Sequence, residues 1–219
     1  GWVRLDEAVP NKAALLESLR DRKHGRRQVE RIVKALRDAD YLHGAFEYTA
    51  VVVAVGRQRL WSEALAALEE AFKRGLEVDV VLCNAAISAC ENIEADDVVG
   101  TLLSSEGQQW CCALEVLDVM LQLGAKPDAI TWSALITVCE KAHRWRLSLE
   151  LWREMRLGAA SPDMIACSAA ISACENCRQW QPALRLLAEM SQRRIAQDVI
   201  TYCAAISACE KGGHWRRAL

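Results

Sequence analysis

The phrase AISACE occurs three times, at residues 86–91, 170–175 and 205–210, and a looser copy, ALITVCE, fills residues 134–140. Ala170 and Ala205 lie 35 residues apart, whereas Ala86 and Ala170 lie 84 residues apart, which is two such periods and a surplus of 14. A fixed period of this length is typical of stacked supersecondary units, because no unit can bury its apolar face alone. The sequence therefore predicts a repeat protein.

The composition is that of a folded chain without a strong overall charge. The 219 residues are 52% hydrophobic and carry a formal net charge of -2. This hydrophobic content is ample for a continuous core and argues against disorder. Residues 20–37 carry eight basic and two acidic side chains, so the rest of the chain is mildly acidic. The longest apolar run, AVVVAV from Ala50, is far too short to span a membrane, and no membrane partner is expected.

The ten cysteines do not indicate a disulfide framework or a metal centre. Four of them recur at the repeat period inside apolar stretches, at Cys90, Cys139, Cys174 and Cys209, and we expect them to be small core residues in a reducing compartment. Cys174 and Cys177 have the spacing of zinc or redox sites, but no second pair lies at a matching distance. No metal and no cofactor is therefore expected.

An aspartate recurs at the end of each unit and sets the predicted boundaries. The units are 45–79, 80–128, 129–163 and 164–198, followed by a partial unit at 199–219. The surplus of 14 residues is placed at 93–106, as a surface loop between the two helices of its unit, because a loop tolerates an insertion better than a helix does. Residues 1–44 contain a degenerate N-terminal capping repeat, whose many charges suit a water-facing end.

Each unit contains two stretches with helical spacing of apolar residues. The first is exemplified by ITWSALITVCEK (130–141), and the second begins at a tryptophan in every unit. Glycines 75, 124 and 158 follow the second stretch, where a left-handed residue ends a helix, and Pro127 and Pro162 prevent its continuation. These signals predict an all-α fold, a right-handed α-solenoid of 35-residue helix-turn-helix repeats.

The repeat closely resembles the pentatricopeptide repeat family over residues 45–219. The 35-residue period, the terminal Pro-Asp and the stretch TWSALITVCEKAHRWRLSLELWREM (131–155) carry the resemblance. The tetratricopeptide repeat, the nearest rival, has 34 residues and needs a glycine in the middle of its first helix, where this chain has Ile87, Ile136, Ile171 and Ile206. The resemblance implies an RNA-binding solenoid in which the first helices line a groove and each unit meets one base.

The resemblance further implies that two residues of each unit, the fifth and the last, read the base. We call these two residues a reading pair. In chain order the reading pairs are Thr49 with Asp79, Asn84 with Asp128, Ser133 with Asp163, and Ser168 with Asp198; Cys203 is a fifth reader without a partner. An ionised carboxylate only accepts hydrogen bonds, so it favours guanine and uracil, which present an imino N–H, over adenine and cytosine. A small Thr or Ser leaves room for a purine and the longer Asn reaches a pyrimidine, so the expected bases are G, U, G and G from 5′ to 3′.

The second residue of each unit is apolar, and similar proteins wedge it between successive bases. These residues are Phe46, Val81, Ile130, Ile165 and Ile200. Two structural alternatives stand beside the functional ones: an apolar residue at a helix start packs on the next repeat, and a recurring aspartate caps the following helix. The five in-phase tryptophans, at 61, 110, 145, 180 and 215, are expected to pack in the core and not to stack on bases.

These features favour a sequence-selective single-stranded RNA-binding module acting in organellar RNA processing, stability, editing or translation. The alternative is a protein-binding helical-repeat scaffold, which the mildly acidic repeats would also suit. The deaminase motifs H-x-E and P-C-x-x-C are missing from the sequence, as are a nucleophile elbow and a phosphate loop, so we expect a binder and not an enzyme. No small-molecule substrate is expected, protein partners are possible, and the resemblance alone implies a chloroplast or a mitochondrion.

Overall fold

The computed structural model describes residues 11–21, 23–76, 79–91, 109–158, 160–214 and 216, and these residues form helices and connecting turns with no strand among them. The prediction of an all-α chain is confirmed for this part. The predicted insertion at 93–106 and Trp215 lie outside the described residues. The chain divides into two compact units, residues 1–92 and 93–219.

The described residues of the first compact unit form five helices. They are α1 (Lys12–Arg20), α2 (Arg26–Asp38), α3 (Ala45–Arg57), α4 (Trp61–Lys73) and α5 (Val80–Glu91). Helix α3 lies at the centre of the unit, because α1, α2, α4 and α5 all pack against it. Helices α3 and α4 form the two halves of the predicted repeat 45–79, and α5 is the first helix of the next predicted repeat, 80–128.

Six helices are described in the second compact unit, within residues 109–216. They are α6 (Gln109–Gln122), α7 (Ala129–Lys141), α8 (Trp145–Leu157), α9 (Met164–Asn176), α10 (Trp180–Gln192) and α11 (Val199–Lys211). The first helices of successive repeats, α7, α9 and α11, pack against one another in chain order, and α8 and α10 each pack on the first helix before and after them. This arrangement makes α7, α9 and α11 one layer, whose side chains hold the candidate site.

The repeated phrase forms the buried part of each first helix. Ile87, Ile136 and Ile171 are all completely buried, whereas Ile206 on α11 is 49% exposed. The repeat cysteines are buried free thiols, as expected, and burial raises the pKa of Cys139 and Cys174 to about 12. These thiols therefore stay protonated and act as small apolar core residues.

The helix ends follow the predicted glycine signal at two positions out of three. Gly75 and Gly124 have φ values of 70° and 71°, in the left-handed region that glycine adopts without a Cβ clash. Gly158 does not: its φ is -80°, so the prediction of a left-handed residue there was wrong. It lies one residue before the equivalent repeat position, which in the next unit is occupied by Arg194 with φ 58°.

The four described tryptophans lie at the start of the second helices and are half-buried, so the core packing expected of them is partial. Trp61, Trp145 and Trp180 are the first residues of α4, α8 and α10, and Trp110 is the second residue of α6. The Arg144 guanidinium lies 4.9 Å from the Trp110 ring centroid, and the His214 ring lies 4.3 Å from the Trp180 ring. Each of these partners belongs to the turn of the following repeat, so the tryptophans join consecutive repeats.

A charged contact joins consecutive repeats in both compact units. Glu189 Oε1 lies 2.8 Å from Arg156 Nη1 of the preceding repeat and 2.9 Å from Nε of Arg193, the residue that follows α10. In the first unit, Glu70 is placed in the same way between Arg37 and Arg74, at 3.3 Å and 3.1 Å. Pairs as exposed as these contribute about 1 kcal/mol or less, so they fix the alignment of neighbouring helices more than they stabilise them. No helix in the described ranges has both the length and the apolarity that a membrane span needs.

Candidate nucleic-acid interface

The four predicted aspartates each cap the helix that follows them. Oδ1 of each aspartate accepts a hydrogen bond of 2.8 Å from the backbone N–H three residues later; the donors are Leu82, Thr131, Ala166 and Thr201 for Asp79, Asp128, Asp163 and Asp198. This is the geometry of an N-cap, with extended backbone at Asp128, Asp163 and Asp198. The structural alternative for the aspartates, helix capping, is therefore observed. It does not exclude base reading, because a carboxylate has a second oxygen.

The three hydroxyl readers share one hydrogen-bond pattern. Thr49 Oγ1 donates to the Ala45 carbonyl at 2.8 Å, Ser133 Oγ lies 2.7 Å from the Ala129 carbonyl, and Ser168 Oγ donates to the Met164 carbonyl. A hydroxyl has one proton, so a group that donates to its own helix offers only lone pairs to an incoming ligand. These side chains therefore behave as acceptors, as the aspartates do.

The third reading pair is brought into contact by the fold. Ser133 Oγ lies 3.3 Å from Oδ1 and 3.4 Å from Oδ2 of Asp163, although the two residues are 30 positions apart. Ser133 is 8% exposed, and Asp163 is half-buried at the start of α9. Packing of α7 on α9 thus places a hydroxyl and a carboxylate side by side where two repeats meet.

The first and fourth reading pairs differ from the third. Within the described residues no direct bond joins Thr49 to Asp79 or Ser168 to Asp198. Asn84 is half-buried on α5, and Cys203 is exposed on α11. Asp128, the partner assigned to Asn84, caps α7 in the second compact unit.

The five apolar second residues all project into solvent. Their exposed fractions are 60% for Phe46, 61% for Val81, 63% for Ile130, 60% for Ile165 and 67% for Ile200. These values argue against the alternative that the residues are buried by the next repeat. Large apolar side chains exposed at one fixed repeat position suit contact with an apolar partner such as the face of a base.

Two threonine hydroxyls contact aspartates of the reading pairs, and the sequence did not lead us to expect these contacts. Thr201 Oγ1 donates to Asp198 Oδ1 at 2.6 Å, and Thr131 Oγ1 donates to Asp128 Oδ1 at 2.9 Å. The signal was visible as Asp-x-x-Thr, a variant of the capping box, in DAIT (128–131) and DVIT (198–201). The contact lowers the pKa of Asp198, because the Thr201 hydroxyl and backbone N–H both stabilise the ionised carboxylate.

The cysteine pair at the end of α9 shows no metal geometry. Cys174 is buried, and the Cys177 thiol donates to the His143 carbonyl across 3.3 Å. In the part of the chain that the structure describes, no group of three or more His, Cys, Asp or Glu side chains could hold a metal ion.

Comparison with protein families assigns the second compact unit. Residues 130–157 match the model described as the PPR repeat, and residues 150–211 match the pentatricopeptide repeat domain. Residues 130–211 belong to the pentatricopeptide repeat family. These residues contain the third and fourth reading pairs. No curated protein sequence matches the chain.

Solved structures show the same fold. The chain is similar to the pentatricopeptide repeat protein PPR10 from maize, solved in complex with an 18-nucleotide psaJ RNA element, with a TM-score of 0.65 and 19% identity over 94% of this chain and 31% of that one. It is also similar to the pentatricopeptide repeat domain of protein-only RNase P 1 from Arabidopsis thaliana, solved with tRNA (TM-score 0.62, 12% identity, 76% of this chain and 81% of that one). A third similar structure is nuclear proteinaceous RNase P 2 from A. thaliana (TM-score 0.63, 12% identity, 78% and 36%). The pentatricopeptide repeat chain thus spans about a third of PPR10 and of RNase P 2, and the predicted helical-repeat fold is confirmed.

Proposed function

We propose that this pentatricopeptide repeat chain binds single-stranded RNA and selects its sequence one base per repeat. The observation that carries the proposal is the third reading pair, in which the Ser133 hydroxyl and the Asp163 carboxylate lie 3.3 Å apart. Exposed Ile130 and Ile165 stand at the second positions of the same repeat and the next. A base placed between the two isoleucines would present its edge to the pair.

The chemistry of the pair favours guanine. Ser133 Oγ donates its single proton within the protein, to the Ala129 carbonyl at 2.7 Å or to Asp163 Oδ1 at 3.3 Å, and a carboxylate only accepts hydrogen bonds. Both groups therefore offer lone pairs to a base. Guanine presents two neighbouring donors, its N1–H and its 2-amino group, which complement two acceptors. Thr49 with Asp79 and Ser168 with Asp198 repeat the same chemistry, and Asn84 with Asp128 is assigned to uracil.

The similar structures support RNA as the partner. PPR10 and the repeat domain of RNase P 1 were both solved in complex with RNA. We infer a role in RNA processing, stability, editing or translation, with a chloroplast or a mitochondrion as its location. Two of the similar proteins are RNase P proteins, but at 12% identity that likeness concerns the fold, and we assign the described residues binding and no reaction.

Binding of a labelled single strand containing GUGG, measured by fluorescence anisotropy at low salt, tests the proposal. We expect a dissociation constant of about micromolar for four reading pairs, since each good base contact contributes about 1–3 kcal/mol and ordering the RNA offsets part of it. The same strand annealed to its complement should bind about tenfold more weakly, because the duplex hides the base edges.

Polyadenylate of the same length is the control for charge attraction alone. A near-neutral chain should also show a shallow dependence on salt, because few phosphates are neutralised. Equal affinity for the single strand, the duplex and polyadenylate would contradict the proposal and favour a protein partner.

A further inference from the structure

The four aspartates of the reading pairs fall into two classes that the repeat pattern does not distinguish. Asp128 and Asp198 each receive two hydrogen bonds on Oδ1 from one threonine, one from its backbone N–H and one from its hydroxyl. Asp79 and Asp163 receive the backbone N–H alone from that position, because Leu82 and Ala166 stand where the threonines stand.

The threonines are buried in a way that leaves their hydroxyls no contact with water. Thr131 and Thr201 are both 0% exposed, and so are Leu82 and Ala166. The position is therefore packed in all four helices that these aspartates cap, and two of the four have a hydroxyl donor there. A buried hydroxyl that bonds to a carboxylate costs little to bury and limits how far that carboxylate can turn.

We propose that Thr201 is a positioning residue for base selection, and that it makes the fourth reading pair more selective than the third. This inference rests on the proposed function. Two donors on Oδ1 fix the plane of the carboxylate, so that Oδ2 points in one direction toward the base. Asp163 has one short bond, from the Ala166 N–H, and its contacts with Ser133 are longer, at 3.3 Å and 3.4 Å. This carboxylate therefore turns more freely and accommodates a mismatched base at lower cost.

The same contact keeps the carboxylate an acceptor. The Thr201 hydroxyl lowers the pKa of Asp198, which favours the ionised carboxylate. Adenine would then face an acceptor whose orientation is held by two donors. Discrimination between guanine and adenine should therefore be larger at the fourth reading pair than at the third.

The test uses the whole chain and four RNA probes that differ only at the base assigned to the fourth reading pair. Thr201→Val keeps the shape of the side chain and removes the hydroxyl, and Thr201→Ser restores a hydroxyl. We expect Thr201→Val to lower the ratio of guanine to adenine affinity at that base about five-fold, in line with the loss of one charge-assisted hydrogen bond. Thr201→Ser should keep the ratio of the unaltered chain.

The third base is the internal control, because Asp163 is followed by Ala166. Its ratio should not change in Thr201→Val, and Ala166→Thr should raise it by a similar factor, since this side chain fits the equivalent position in α7 and α11. An unchanged ratio at the fourth base in Thr201→Val, or an equal fall at the third base, would overturn the inference while leaving the proposed function intact. If the unaltered chain shows no base preference at either position, the proposed function fails as well.

Discussion

An Asp163→Asn variant is expected to bind RNA with adenine in place of guanine at the base assigned to the third reading pair. The amide replaces one acceptor with an NH₂ donor, which can meet the N1 lone pair of adenine but opposes the N1–H of guanine. A matched or mismatched contact of this kind is worth about 1–3 kcal/mol, so the guanine-to-adenine ratio should fall by about tenfold or more. Competition binding with four probes that differ at this base measures the change.

The structure offers a reason why this variant should stay folded. Asn caps helices about as well as Asp does, so the bond from the Ala166 N–H to residue 163 is kept. Asp198→Asn is the matched control, because it should change the next base and leave this one alone. Unchanged preference for all four bases in a folded Asp163→Asn chain would show that the carboxylate is only a cap.

An Ile171→Ala variant is expected to lose about 2–5 kcal/mol of folding free energy, the usual cost of truncating a fully buried Ile. Ile171 is 0% exposed on α9, which packs on both α7 and α11. The cavity would therefore lie between helices that depend on each other for burial. Urea unfolding followed by circular dichroism measures the loss.

Ile206→Ala is the matched comparison, since the same phrase surrounds both residues but Ile206 is 49% exposed. Its loss should stay below about 1 kcal/mol, because much of the side chain is already in water. Equal losses in the two variants would mean that burial along the repeated phrase does not hold the stack together.

Helix positions could be predicted because their signals are local. Asp128, Asp163 and Asp198 each stand immediately before a helix, since a carboxylate that caps the backbone N–H groups ends the preceding turn and begins the next helix. Gly158 was misjudged because it is one residue out of phase with Gly75. The exposure of the tryptophans depends on how closely the next repeat's turn approaches them, and no local pattern encodes that distance.

The sequence indicated the positions of the candidate site residues but not their hydrogen bonds. The resemblance assigned the second residues to contact with bases and left packing on the next repeat as the alternative, and Ile130 and Ile165 are exposed. Serine has several acceptors within reach, so the choice of the Ala129 carbonyl by Ser133 appears only in the folded helix. The contact between Ser133 and Asp163 likewise requires two repeats to be stacked.

Selection of single-stranded RNA from a random pool by the whole chain at low salt tests the central claim most directly. We expect enrichment of the run guanine, uracil, guanine and guanine, written from 5′ to 3′. The guanine assigned to Ser133 and Asp163 should be among the enriched bases. A bound pool with the same base frequencies as the starting pool would contradict the claim and point to a protein-binding scaffold.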